Sequence, residues 1–321
     1  MISRAVVLTL LLAVLGFAAS LMIGPEGFGL PGGKDAARTV FVEIRLPRAI
    51  LGLLVGAALG LSGAALQGYL RNPLAEPGLL GISGGAALGA VSAIHSGLAA
   101  RFALALPIGG LAGAALAAIA IVTLAGMSGA TISLILAGVA VSAITGALTT
   151  LALNLSPNPF ASVEIMVWLM GSLTDRSLVH VWLAAPLILV GIAMLLTAGR
   201  DLEALSLGED VAQNLGVDPQ YLRFKIIAGC ALAVGAATAV AGSIGFVGLV
   251  VPHLLRPLVG ESPGLLLVPS LFGGAALVLF ADVALRLVSP YGDLRLGVLT
   301  ALIGAPFFLW LVLKKREELA P

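Results

Sequence analysis

The sequence predicts an all-α, polytopic membrane protein, and three observations carry that expectation: composition, the length of the apolar runs, and the residues that punctuate them. Of 321 residues, 60% are hydrophobic and 10% charged, with a mean hydropathy of +1.12. Soluble domains carry about a quarter charged residues, so this chain cannot cover a water-facing surface of its size. Its apolar runs recur at roughly the twenty residues that cross a bilayer at about 1.5 Å of rise per residue. Backbone in hydrocarbon must satisfy its own hydrogen bonds, as helix or as closed barrel, and the runs lack the two-residue alternation of a barrel. Ten transmembrane helices are expected, near 5–23, 49–70, 79–99, 103–125, 132–154, 179–198, 224–242, 244–259, 264–287 and 296–313, forming one domain over 1–321.

The first span follows Arg4 and is long, with nine more behind it, so it reads as a retained helix and not as a cleaved signal. The second is enclosed by Arg45-Leu-Pro-Arg48 and Arg71-Asn-Pro-Leu-Ala-Glu-Pro-Gly78, which predicts an ordered turn at each end. Gly52, Gly56 and Gly60 in this span, Gly81, Gly85 and Gly89 in the third, and Gly109, Gly110 and Gly113 in the fourth form small-residue ridges suited to close helix packing. In the fifth span Gly138, Ser142, Thr145 and Thr149 share one face, a stripe that either lines a water-accessible path or bonds to a neighbouring helix. The preceding Ser128-Gly129-Ala130-Thr131 is a tight turn or a movable constriction at the inner mouth.

The eighth span is short and carries Pro252 and His253; the ninth holds Asp282 and Arg286, spaced to pair at i,i+4, with a proton-relay carboxylate as the other reading. Cys230 has no partner for a disulfide, no histidine has a second ligand at metal spacing, and nothing assembles into a nucleophile with its base. The cluster Lys314-Lys315-Arg316 favours a cytoplasmic C-terminus, and an even number of spans extends this to the N-terminus. The outer face then keeps Lys34, Arg38, Arg45, Arg48, Arg101, Arg176, Arg286 and Arg295, which suit an acidic docking partner or snorkel to lipid headgroups.

The inner loop 199–223 carries its own pattern. Leu207, Val211 and Leu215 repeat every four residues, Glu209 and Asp210 occupy a first turn, and Gly216 stands at a C′ position before Asp218-Pro219. So short a helix needs a surface to dock on, either a cytoplasmic partner's groove or the inner face of its own protein. Gly29-Leu-Pro-Gly32-Gly33-Lys34-Asp35 lacks the glycine spacing of a phosphate-binding loop and has Asp35 where Ser or Thr should bind magnesium. Energy must therefore come from a separate ATPase, which the loop helix favours, or from an ion gradient.

Arg45-Leu-Pro-Arg48 through Gly52, Gly56 and Gly63 to Asn72-Pro-Leu-Ala-Glu-Pro-Gly78-Leu-Leu-Gly-Ile-Ser-Gly-Gly85 resembles the signature of the iron-siderophore, haem and cobalamin ABC importer permeases. Leu136-Ala-Gly138-Val-Ala140, Leu205 to Gly216, Gly242-Ser-Ile-Gly-Phe-Val-Gly248-Leu-Val-Val-Pro252-His253 and Gly304-Ala-Pro306 extend the likeness over almost the whole chain.

The resemblance implies a single permease domain with a weak inverted repeat, echoed in Gly63–Leu74 against Gly242–Leu258. It implies a homodimer in the bacterial cytoplasmic (inner) membrane, in contact with lipid, with two cytoplasmic ATP-binding subunits and a periplasmic or lipid-anchored substrate-binding protein. No nucleic-acid partner is expected, no cofactor on this chain, and ATP with magnesium on the partner. The expected cargo is a metal chelate (ferric siderophore, haem or cobalamin), moved by alternating access. By resemblance Arg45 and Arg48 meet the binding protein. Arg295 joins them, because Asp293-Leu-Arg295 replaces the family's usual Glu-Pro. Leu205, Leu207, Gly208, Glu209, Val211, Leu215 and Gly216 contact the ATPase, Gly129, Ala130 and Thr131 form the inner gate, and the fifth helix lines the path. The rival expectation is an ion-gradient-coupled secondary carrier.

Overall fold

The computed structural model describes residues 2–24, 27–29, 33–126, 131–156, 158–288 and 294–319. Its first half runs α1 (Ile2–Met22), α2 (Lys34–Thr39), a π-helical turn (Val40–Arg45), α3 (Leu46–Tyr69), a 3-10 turn (Pro77–Leu80), α4 (Ile82–His95), α5 (Leu98–Arg101), α6 (Ala105–Ala125) and α7 (Thr131–Asn154). The second half is α8 (Pro159–Leu169), α9 (Leu178–Thr197), α10 (Gly199–Ser206), α11 (Glu209–Asn214), α12 (Pro219–Ala241), α13 (Val247–Val259), α14 (Pro263–Val288) and α15 (Leu296–Leu319). A two-residue antiparallel ribbon, Ile23–Gly24 with Gly27–Phe28, is the sole sheet among the described residues.

Among the described residues, eight helical stretches are long and apolar enough to cross a membrane, and α4, α8 and α13 are shorter apolar helices. The bundle's outward faces expose Leu8, Leu11, Leu116, Ile119, Trp182 and Leu189. Apolar surface that continuous matches hydrocarbon and not water. The chain is an all-α polytopic membrane protein.

Three of the expected spans take a different form. The third is divided, because Pro77–Leu80 closes a 3-10 turn and Gly81, at φ +74°, starts α4 three residues later than expected. The eighth begins only at Val247, after Phe246 at φ +67°. Both short helices start inside the bundle: a Cβ on Gly81 would press on Ser142 in the middle of α7, and one on Gly248 on Leu59 and Gly63 in the body of α3. The turn expected at Arg45-Leu-Pro-Arg48 is absent, and helix runs on from Asp35 to Tyr69. Pro47 has no N–H for the carbonyl four residues back, and just before it the backbone shifts to i→i−5 bonding, with Leu46 N–H donating to the Phe41 carbonyl. The unexpected α8 is started by Asn158, whose side chain accepts from Ala161 N–H at 2.9 Å, with Pro159 in the first turn.

α3 is the axis of the fold, packed on α9, α12, α13 and α14. Its glycine ridge behaves as expected. A Cβ on Gly56 would overlap the Gly274 carbonyl, one on Gly60 the Ser270 carbonyl, and one on Gly63 the Gly248 carbonyl. Gly85 and Gly89 of α4 meet Gly113 and Gly109 of α6 in the same way. Bringing backbones this close maximises dispersion contact where no hydrophobic effect drives helices together. G56A is therefore expected to lower stability by about 1–3 kcal/mol, because α3 and α14 must part. G146A, on α7 where nothing lies within 4 Å, should be neutral. Thermal unfolding of the two detergent-solubilised variants checks this, and equal melting would contradict it.

Candidate functional site

At the end of the bundle expected to face the cytoplasm, the loop between α9 and α12 folds as two helices, and the second has Glu209 and Asp210 in its first turn and Gly216 at C′, as the spacing predicts. α10 ends at Ser206, and Gly208, at φ +119°, turns the chain before α11 begins at Glu209. α10 is fastened by buried Leu202 and Leu205, by Lys225–Asp201 at 2.9 Å, and by Ser262 Oγ donating to Glu203 Oε1 at 2.7 Å. α11 closes on Gly216, at φ +87°, whose N–H donates to Gln213 O while Val217 N–H donates to Ala212 O. This is the paired bond pattern of a Schellman end. Asp218 then caps α12 by accepting from Gln220 N–H at 2.8 Å. Of the residues expected to meet a partner, Leu205 is buried, while Leu207, Val211 and Leu215 are 66%, 42% and 63% exposed. The exposed trio flanks Glu209, whose carboxylate pairs with Arg71 at 3.0 Å.

The polar stripe of α7 faces inward. Gly138 and Thr145 are buried and Ser142 and Thr149 half-buried. Thr145 Oγ1 donates to Val141 O at 2.8 Å within its own helix, and a Cβ on Gly84 would meet that hydroxyl. Of the two readings of the stripe, the structure favours a packing seam against α4. The opposite face, with Ile132, Leu136, Val139, Ile144, Leu148 and Leu151, is exposed. Thr131 begins α7, half-buried; Gly129 and Ala130 lie outside the described residues.

The second-span arginines are drawn inward. Arg45 is 7% exposed, and its Nη1 donates to the Leu21 and Met22 carbonyls at 3.0 Å. Arg48 grips both oxygens of Asp282, with Nη2 at 2.7 Å from Oδ1 and Nε at 3.0 Å from Oδ2. Arg286 takes the same carboxylate and also bonds Ser20 O at 2.9 Å and Ile23 O at 2.8 Å. The four side chains clamp α1, α3 and α14 together at their outer ends. Guanidiniums committed in this way are poorly placed to meet a docking protein, so the expectation for Arg45 and Arg48 gives way to a structural role. Arg295, half-buried just before α15, lies near Arg176. Burial lowers the Arg176 guanidinium below its usual range, Asp175 beside it raises it and Arg295 lowers it further. Its Nε has no hydrogen-bond partner among the described residues.

A cavity of about 640 Å³ opens between the end of α8, the 242–246 segment and α15, lined by Met170, Ser243, Phe246, Ala301, Leu302 and Pro306 among others. Phe246 sits at its rim, its N–H donating to Glu76 and its ring against Gly304. The described residues hold no cluster of His, Cys, Asp or Glu able to bind a metal.

Buried arginines clamping crossed helices, glycine-to-glycine contacts and an exposed apolar edge at the inner end make one constellation, and its pattern has relatives. The FecCD transport family matches residues 5–314. The chain belongs to that family. It is 40% identical over 295 residues to the cobalamin import system permease of Halobacterium salinarum, covering 91% of this chain and 77% of the relative. It is 38% identical over 289 residues to the hemin transport system permease of Yersinia pestis, covering 89% and 86%. A solved structure described as an inward-facing conformation of a metal-chelate type ABC transporter superposes with a TM-score of 0.88 at 34% identity, over 97% of this chain and 99% of that one.

This FecCD-family chain also uses polar residues that the sequence reading passed over. Gln67, 2% exposed, donates to Gly248 O at 3.1 Å and accepts from Arg256 at 2.8 Å. Arg223, equally buried, donates to Tyr69 Oη at 3.3 Å and to the Gly126 carbonyl, tying α12 to α3 and to the segment leading toward the expected gate. The signal for Gln67 was present: a lone amide inside an apolar span must find partners there.

Proposed function

We propose that this chain is the transmembrane permease subunit of an ATP-driven importer. It carries a metal chelate, such as a ferric siderophore, haem or cobalamin, from a binding protein into the cytoplasm by alternating access in a bacterial cytoplasmic (inner) membrane. The observation that carries the reading is the exposed trio Leu207, Val211 and Leu215 around the short α11. Three apolar side chains on a polar inner edge are costly in water unless a partner covers them, and two leucines with a valine are the anchors a groove would take. An ATP-binding subunit is the occupant that the family and its import-system relatives support. The same support extends to two copies of this chain, two ATP-binding subunits and one substrate-binding protein.

Within the dimer, the exposed apolar faces of α7 and α15 are the candidate walls of the path, and the 640 Å³ cavity beside α15 is space into which that wall can move. At the outer edge, Arg295 with Arg176 replaces Arg45 and Arg48 as the candidate contact for an acidic binding protein. The gradient-coupled carrier loses its specific support, because Asp282, the candidate proton carrier, is bound by two arginines.

The test is uptake into proteoliposomes that hold this permease with its ATP-binding subunits. Cobalamin, haemin and a ferric hydroxamate are supplied in turn with the binding protein. Uptake of one of them is expected with ATP and none with a non-hydrolysable analogue. Accumulation driven by a proton or sodium gradient without ATP would overturn the reading.

A further inference from the structure

Arg71 stands where a glycine is expected. α3 ends in a Schellman pattern, with Asn72 N–H donating to Gln67 O at 3.1 Å and Arg71 N–H to Gly68 O at 3.3 Å, which puts Arg71 at C′ with φ +49°. That left-handed position suits glycine and strains a residue with a Cβ. Stability gives no reason for arginine here, since its ion pair with Glu209 is 44% and 56% exposed and such pairs add little. The reason must lie in what the side chain connects. It joins the first turn of α11 to the inner end of α3, and its own side borders a cavity of about 250 Å³ together with Ser206, Gln67, Gly68 and Arg256. One helical turn before Arg71, Gln67 bonds Ala75 O at 3.3 Å, Gly248 O at 3.1 Å and Arg256 Nη2 at 2.8 Å, which links the same end of α3 to both ends of α13.

We propose that Arg71 is a positioning strut that passes displacement of α11 to the inner end of α3 and, through Gln67, to α13. The proposal rests on α11 being the ATPase contact. It makes α13, which starts directly after the cavity-rim Phe246, the helix that answers nucleotide binding.

The test uses the permease–ATPase complex in lipid nanodiscs, with an environment-sensitive fluorophore on L254C, an exposed position of α13; the natural Cys230 is buried and stays unlabelled. ATP with vanadate is expected to shift the emission. R71G should shrink that shift about fivefold or more, the size of a lost coupling contact, while the ATPase stays bound and the melting temperature does not fall. R71E should do the same, and R71E combined with E209R should regain most of the shift. A full response in R71G, a melting temperature lowered by the glycine, or a silent reversed pair would each overturn the strut. Retention of the ATPase on a permease carrying both L207D and L215D would strike instead at the partner reading beneath it.

Discussion

D282A is expected to be among the most destabilising single substitutions in this chain, by about 3–5 kcal/mol, because it leaves buried charge without its counter-charge. Asp282 is 1% exposed, and its two oxygens take a bidentate grip from Arg48 on α3 and a second guanidinium from Arg286 on its own helix. With the carboxylate gone, Arg286 keeps Ser20 and Ile23 at the α1 end, but Arg48 loses the acceptor of its bidentate bond, and the two cations repel. Adding R48M to D282A should recover part of the loss, since it removes an orphaned cation and not a pair. The measurement is the denaturation midpoint of detergent-solubilised protein followed by the monodisperse fraction. A D282A curve that overlays the wild type would show that the clamp does not hold the three helices.

L207D together with L215D should release the ATP-binding subunit. Burying a leucine side chain stabilises by about 1.5–3 kcal/mol, so losing two anchors removes about 3–6 kcal/mol, which weakens the contact at least a hundredfold. Both side chains project from the bundle, at 66% and 63% exposure, so the permease itself should fold and elute as before. The amount of ATP-binding subunit that co-purifies with tagged permease reads the result directly, and undiminished co-purification would remove α11 as the contact.

Much of this architecture could be read from residue pattern alone, and the failures have physical causes. Spans longer than about twenty apolar residues announce themselves, because hydrocarbon leaves the backbone no alternative. The glycine ridges were legible for a similar reason: small residues four apart on a membrane helix are of little use except to bring backbones together. The starts of α4 and α13 were hidden, because a helix that begins inside the bundle at Gly81 or Phe246 has apolar neighbours on both sides of the break. The acceptors of Arg45 and Arg48 were hidden because they lie far off in sequence: Arg48 and Asp282 are 234 residues apart. On one helix an arginine at a membrane boundary looks the same whether it faces water or a distant carboxylate. The stripe of α7 was a true signal with two meanings, and only the position of Gly81 and Gly84 against Ser142 and Thr145 distinguishes them.

The separation of Arg48 from its carboxylate also governs how the protein is made. Ribosomes make α3 long before α14, so for most of synthesis Arg48 has no counter-charge, and the headgroup level is where such a guanidinium is tolerated. Only when α14 arrives with Asp282 and Arg286 can Arg48 find its carboxylate and the Ser20 and Ile23 carbonyls find their donor. A chain interrupted before α14 would keep the Arg45 bonds to α1 but leave the Arg48 guanidinium without its carboxylate.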